Sequence, residues 1–291
     1  MPTLDVFLNT PWLLYTTVTL VSLCIGSFLN VVIFRLPKMM HQDWRSQCEE
    51  FLEVPEDQRS KEEKITLSSP ASTCPHCGHG IRAWENIPVL SYLFLRGKCS
   101  ACKARISLRY PLVEATTALF SVITLALLGP AESTLWAILL VCCLIALTMI
   151  DFDTQLLPDS ITLPLMWLGL ILNWFGMLTD FGSAFWGAVA GYLSLWSVYW
   201  LFKLVTGKEG MGHGDFKLLA ALGAWLGWQL LPAIIILSSL VGACIGIGLM
   251  VFRKHGREVP IPFGPYLASA GLLCLWFGPE IQRFSLNYLG L

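Results

Sequence analysis

The chain has 291 residues, 55% of them hydrophobic and 13% charged, with a formal net charge of −1 at pH 7 and a mean hydropathy of +0.63. That balance is far from a soluble domain's, marks an integral membrane protein, and carries no nucleic-acid signature. The near-zero sum of charge says little about partners, because in a lipid-facing protein the distribution matters more.

A helix needs roughly 20 residues to cross the hydrocarbon core. On that measure the apolar runs predict about eight transmembrane segments, near residues 12–34, 112–128, 135–150, 161–177, 185–204, 218–231, 234–252 and 263–277. The expected fold class is therefore an all-α polytopic membrane protein. The run that follows Asp215 is short, which fits a tilted helix, one that starts in a cavity, or a merger with the next run through Leu230, Leu231 and Pro232.

No Lys or Arg precedes the first run, and Arg35 and Lys38 follow it. This is the reverse of a secretory signal peptide and places the start of the run outside. Eight crossings then put residues 35–111, 151–160, 205–217 and 253–262 inside and both termini outside. Lys and Arg sort to these loops as 12, 0, 3 and 3, counting Lys203 and Lys217 at their helix ends, and only Arg283 falls on the other face. The sorting follows the positive-inside rule and supports both the number of crossings and their orientation.

The large inside loop begins with a polar stretch, residues 38–70, that reads as a solvated, partly helical or mobile excursion. Beyond it, "CPHC" at 74–77 and "CSAC" at 99–102 form two C-x2-C pairs separated by 21 residues. That spacing predicts one tetrahedral zinc site made by Cys74, Cys77, Cys99 and Cys102, in a compartment where disulfides are disfavoured. Four thiolates fill the coordination shell, so the expected role is structural. His76 and His79 read as bystanders. Of the other cysteines, Cys24, Cys142, Cys143, Cys244 and Cys274 lie in apolar runs and read as small core residues, and Cys48 lies in the polar stretch.

Four carboxylates fall at inside ends of predicted helices: Asp151, Asp153 and Asp159 in "IDFDTQLLPD", and Asp215 in "MGHGDFKLL". Asp159 and Asp215 precede apolar runs and fit helix N-caps. Asp151 and Asp153 close a helix instead, where the macrodipole disfavours negative charge, and a carboxylate at membrane depth usually marks a proton path, an ion site or catalysis. If Asp151 and Asp215 approach each other, the two cannot both ionise cheaply, and the pair shares one proton, the state that aspartic-protease chemistry uses. Gly212 and Gly214 would let backbone approach a substrate closely. His213 reads as a spacer and Lys217 as a residue that snorkels to the interface.

Seven stretches in series carry a resemblance: "GSFLNVVIFRLP", the paired cysteine motifs, "ENIPVLSYLFLRGKC", "ISLRYPLVEATTALF", "IDFDTQLLPD", "GMGHGDFK" and "IPFGPYLASAG". Together they span essentially the whole chain, and in their order it resembles the bacterial type IV prepilin peptidases, which are bifunctional leader peptidases and N-methyltransferases. The resemblance implies Asp151 and Asp215 as the catalytic pair, the latter in a G-x-G-D motif shared with presenilin-like intramembrane proteases, and it alone selects Asp151 over Asp153. It implies cleavage on the cytoplasmic side of the bacterial inner membrane, after the glycine that ends the short basic leader of a prepilin or pseudopilin. The new N-terminal residue, commonly Phe, would then be methylated with S-adenosylmethionine.

The resemblance also implies a division of the chain. Residues 1–111, the first helix and the cysteine loop, would be associated with methyl transfer, and residues 112–291 would form a seven-helix peptidase domain. Gly26, Asn30, Arg35 and Glu114 are carried over as candidates for the methyl-transfer site. Each also has an ordinary structural role available: close helix packing for Gly26, an interhelical hydrogen bond for Asn30, interface anchoring for Arg35, and pairing with Arg109 or Arg105 for Glu114. Two other classes share some features, a proton- or ion-coupled transporter and a noncatalytic scaffold of a pilus or secretion machine. No internal repeat of the transporter kind is visible. The partners expected are protein substrates and membrane lipid, with no nucleic acid. The sequence does not give the oligomeric state.

Overall fold

The computed structural model describes residues 10–59, 63–208, 210–253 and 262–289. Among them the regular structure is helical, with no strand and only two isolated bridges. The helices are α1 (Pro11–Phe51), α2 (Leu90–Phe94), α3 (Arg109–Leu128), α4 (Glu132–Thr154), α5 (Asp159–Trp174), α6 (Phe181–Thr206), α7 (His213–Leu226), α8 (Leu231–Arg253) and α9 (Gly264–Leu289). Short 3-10 turns lie at Ala83–Asn86 and Trp228–Leu230. Each of the eight apolar runs overlaps a helix, the shortest being α5 and α7 with 16 and 14 residues. Five stretches are long and apolar enough to cross a membrane: α1, α3, α4, α6, and Trp228–Gly248 in α8 with its leading turn. The chain forms two compact units, Met1–Leu125 and Ala126–Leu291.

In the first unit α1 runs for 41 residues, about 61 Å at 1.5 Å per residue, twice the hydrocarbon thickness. Residues 38–51 of the stretch read as partly helical or mobile continue the helix beyond its apolar part. Close approach of α1 and α3 is set by Gly26, where a Cβ would lie 2.7 Å from Glu114 Cα. Asn30 then donates from Nδ2 to Tyr110 O at 3.1 Å and to Gly26 O at 3.3 Å, crossing the helix pair as its polar position suggested.

The second unit is organised around α7. This helix has 14 residues, roughly 21 Å, shorter than the hydrocarbon core of about 30 Å. Asp215, Phe216 and every residue from Leu218 to Leu226 are buried, because α6, α5 and α9 pack around it. A helix apolar on all sides is stable only when enclosed in this way. Its backbone meets that of α6 directly at Gly187 and Gly223, where a Cβ on either glycine would run into the carbonyl oxygen of the other. The end away from Asp215 is locked by side chains. Trp225 Nε1 donates to Leu165 O at 2.7 Å. Asn173 donates to Ala224 O and Trp225 O, and its Oδ1 accepts the N–H groups of Leu178 and Thr179. The run does not merge with the next one: Gly227 turns the chain at φ +85°, and Pro232 sits in the first turn of α8, where its missing N–H does no harm.

Candidate functional site

Asp151 lies in the last turn of α4 and is 4% exposed, and Asp215 lies in the first turn of α7 and is 6% exposed. The two carboxylates are within electrostatic reach of each other. Leu157, in the link between α4 and α5, sits beside both: a Cβ at Gly214 would lie 2.7 Å from Leu157 Cβ, and one at Gly264 would lie 3.2 Å from Leu157 Cδ2. Gly264 opens α9 and donates its backbone N–H to Asp151 Oδ2 at 2.9 Å in a buried bond. Asp151 closes one helix but faces the positive end of another, which answers the dipole objection raised by its position in the sequence.

Neither cap expectation holds. The N-cap of α7 is Gly212, with Asp215 three positions inside the helix, and the N-cap of α5 is Pro158, with Asp159 already helical. Asp159 is exposed and receives both oxygens' contacts from Lys217 Nζ at 2.7 Å, so Lys217 pairs with a carboxylate rather than simply reaching for the interface. Asp153 is exposed on the opposite side of the turn from its buried neighbour. Burial thus separates Asp151 from Asp153, which composition and position could not. His213 packs its ring against Tyr199 and Phe216, with centroids 5.1 and 5.4 Å away. Gly264 was missed at the sequence level. Its signal was a glycine followed by Pro265 at the head of an apolar run, a helix start with no side chain to block an incoming anion.

The four cysteines converge. The Sγ atoms of Cys74, Cys77, Cys99 and Cys102 all lie within 4.8 Å of one another, and Cys74 Sγ is 3.8 Å from Cys102 Sγ. At a Zn–S distance of about 2.3 Å, the edge of a sulfur tetrahedron is roughly 3.8 Å, so the donor set fits the ion and none of the four is a disulfide. Two matching knuckles build the cluster. Cys74 N donates to His79 O and Gly78 N to Cys74 O, and in the second knuckle Cys99 N donates to Ala104 O and Lys103 N to Cys99 O. Gly78 and Lys103 occupy equivalent left-handed positions, at φ +69° and +60°.

The thiols are electrostatically unequal. Backbone N–H groups of Cys102 and Ala101 draw Cys99 down to about 6. At Cys77 the His79 backbone pulls down, but burial and the crowding of Cys102, Cys74 and Cys99 prevail and push it up to about 11. A group of thiols that resists joint ionisation in this way is what a dication stabilises. His79 takes no part as a donor atom, since its Nε2 faces Glu85 Oε2 at 3.3 Å and Ser100 Oγ at 3.2 Å. His76 is exposed.

The remaining candidates lie in the first unit with defined partners. Arg35 is buried and donates to Thr66 O at 2.9 Å, Leu67 O at 3.4 Å and Pro70 O at 2.7 Å, so it clamps the loop rather than anchoring at an interface. Glu114 is buried and accepts the Val89 N–H at 2.8 Å, with Ser27 as a second partner. Val89 has φ +59°, a strained value for a β-branched residue that the bond to Glu114 helps hold.

Comparison with known proteins decides the family. The bacterial peptidase A24 N-terminal domain matches residues 20–128, and the type IV leader peptidase family matches residues 138–247. The chain is 57% identical over 280 residues to a "Prepilin leader peptidase/N-methyltransferase" of Aeromonas hydrophila, covering 96% of each chain. This chain belongs to the type IV leader peptidase family. Proteins of the same name from Stutzerimonas stutzeri and Pseudomonas aeruginosa are 57% and 53% identical, covering 92% of both chains and 100% and 99% respectively. No solved structure matches.

Proposed function

We propose that this chain cleaves the short basic leader from type IV prepilins and type II secretion pseudopilins after glycine, and then N-methylates the new N-terminal residue, commonly Phe, with S-adenosylmethionine as the methyl-donating substrate. The observation that carries the reading is the burial of two carboxylates, Asp151 and Asp215, at helix ends and within electrostatic reach of each other in a chain of this family. The active face is the cytoplasmic side of the inner membrane, with eight crossings and both termini periplasmic, as the sorting of basic residues supports.

The chemistry needs the pair to share one proton. The ionised carboxylate takes a proton from water as it attacks the glycine carbonyl, and the protonated one hydrogen-bonds to the developing oxyanion. Collapse of the tetrahedral intermediate breaks the C–N bond, and a proton passes to the leaving amine. Gly264 keeps Asp151 at a fixed orientation through its N–H, and the side-chain-free Gly212 leaves room for an extended peptide beside Asp215, while Gly214 lets Leu157 pack close. A prepilin whose apolar helix stays in lipid would present its scissile bond at this depth.

In this reading methyl transfer is associated with residues 1–111, together with Glu114 just beyond them, and cleavage with the rest of residues 112–291. Gly26, Asn30, Arg35 and Glu114 are its candidates for holding the methyl donor or the acceptor amine. Cys74, Cys77, Cys99 and Cys102 hold a structural zinc ion, which ties the two knuckles into one rigid body.

The test uses purified protein in lipid with a prepilin substrate and S-adenosylmethionine, scoring leader loss and the added methyl separately by mass spectrometry. Asp151→Asn and Asp215→Asn should each abolish cleavage and still methylate precleaved substrate. Cleavage at the wild-type rate by either variant would remove that aspartate from the mechanism.

A further inference from the structure

Residues 84–94 invert the usual sorting of side chains. Trp84, Ile87, Leu90, Leu93 and Phe94 are all exposed, Phe94 to 84%. Glu85, the one acid between Cys74 and Arg109, is turned inward instead, with its side chain 6% exposed. Its carboxylate accepts the Arg82 N–H at 2.8 Å and faces His79 Nε2 at 3.3 Å, beside the cysteine knuckles. A loop folded against water does the opposite: single exposed apolar residues are ordinary there, and a dense run of large ones marks a surface that something else covers.

Two hydrogen bonds to the backbone of this region fix where the surface stands. Val89 donates its N–H to Glu114 Oε2 at 2.8 Å, and Glu114 lies in the second turn of α3, a helix long and apolar enough to cross a membrane. The apolar run of α3 begins at Leu112, so Val89 is held by a residue already inside it. Leu90 follows directly. Since α2 has five residues, about 7.5 Å at 1.5 Å per residue, its length is comparable to the headgroup layer on one side of a bilayer. Leu93 and Phe94 therefore stay in the interfacial layer whichever way α2 runs. On the far side of α2, Gly97 O accepts the Ile106 N–H at 2.8 Å. This brings the chain back to Leu108, Tyr110 and Leu112, which are also exposed and lead into the lipid-facing side of α3.

The flanks are basic. Arg82, Arg96, Lys98 and Arg105 are exposed, and the only acid in the stretch is the inward Glu85. An apolar surface edged with cations is the composition of a segment that lies in a membrane interface. The same edge disfavours a second copy of this face, which would set cation against cation. We propose that residues 84–94 insert into the bilayer that α1 and α3 cross, with Leu90, Leu93 and Phe94 among the lipid chains and Arg82, Arg96 and Lys98 at the phosphates. The cysteine loop is then a membrane-docked body rather than a freely hanging one. This contact does not depend on either proposed reaction.

The experiment places the photoreactive residue p-benzoylphenylalanine at Phe94 and, in a second protein, at Leu93. Each full-length protein is irradiated in phosphatidylglycerol and phosphatidylcholine liposomes, and adducts are mapped by mass spectrometry. The control carries the probe at Phe51, which is 87% exposed at the polar end of α1, about 25 Å along the helix from Phe34. All three positions are exposed, so the probe displaces no packed side chain. Lipid adducts at Phe94 and Leu93 should exceed those at Phe51 by about tenfold. Equal yields at the three positions, or no lipid adduct at Phe94 and Leu93, would overturn the proposal. Adducts formed chiefly with a second copy, with another part of this chain, or with added prepilin would give the surface a different occupant and overturn it as well.

Discussion

Replacing Gly264 by alanine tests whether the orientation of Asp151 matters to peptide cleavage. A Cβ built on Gly264 would lie 2.6 Å from Asp151 Oδ2, 3.1 Å from its Cγ and 3.2 Å from Leu157 Cδ2. Non-bonded heavy atoms settle near 3.5 Å or beyond, so the carboxylate or the start of α9 must move by about 0.5–1 Å. That movement strains or breaks the 2.9 Å bond from the Gly264 N–H, a charge-assisted contact of about 1.5–3 kcal/mol. A reacting group misplaced by about 1 Å loses on the order of 10²-fold in rate. Gly264→Ala should therefore lower kcat for leader cleavage about a hundredfold. Methylation of precleaved substrate and zinc content should stay at wild-type levels, showing that the first unit is intact. Mass spectrometry of a timed reaction reads both products. Wild-type cleavage by the folded variant would refute the claim that this N–H sets the carboxylate.

Other expectations separate neighbouring roles. Cys99→Ser, which removes the thiol most easily ionised in the cluster, should abolish stoichiometric zinc by elemental analysis and depress methyl transfer more than cleavage; full zinc retention would count against a four-cysteine site. Glu85 is held below the usual carboxylate range by the Arg82 N–H first, and then by Ser100 and His79. Its folded pKa lies below its unfolded one, so its stabilisation is present above the unfolded value and fades as pH falls through the folded one. Melting curves of wild type and Glu85→Gln should thus differ at neutral pH and converge in acid, and a constant gap would contradict this. Lys217→Met should change stability by about 1 kcal/mol at most and leave cleavage intact, because its partner Asp159 is an exposed carboxylate. A large loss of cleavage there would bring Asp159 into the active site.

The elements were legible because membrane helices declare themselves by length and apolarity, and the cysteine knuckles because C-x2-C spacing carries its own geometry. What composition could not express was enclosure. The run after Asp215 reads as a weak span, whereas α7 is a short central helix sheathed by α5, α6 and α9, and its glycines record the close approach of α6. Pattern could not give these partners either. Arg35, read as an interface anchor, and Glu114 both bind backbone groups, since inside a packed helix pair a carbonyl or N–H that the fold already leaves unpaired is the nearest satisfaction. Asp151 and Asp153, two residues apart, could be told apart by burial but not by pattern.

The choice of a backbone partner also bears on catalysis. A carboxylate at the C-terminal end of α4 meets an unfavourable dipole, and a lysine or arginine beside it would cancel that penalty. Such a cation would hold the group in one protonation state and cover both oxygens with donors. Here the opposing helix end does the stabilising. The start of α9 supplies a positive dipole, worth about 0.3–1 kcal/mol at a surface and up to ~2 when partly buried, and one N–H directed at Oδ2. Among the described residues the Gly264 N–H engages one oxygen, which in the proposed reaction would leave the group able to gain or lose a proton. Asp215 has the same arrangement within its own helix, in the first turn of α7. Two helix N-termini thus face two buried carboxylates, which makes burial of acidic groups at membrane depth tolerable, and the proposed reaction, in which the pair passes one proton back and forth, would draw on that freedom.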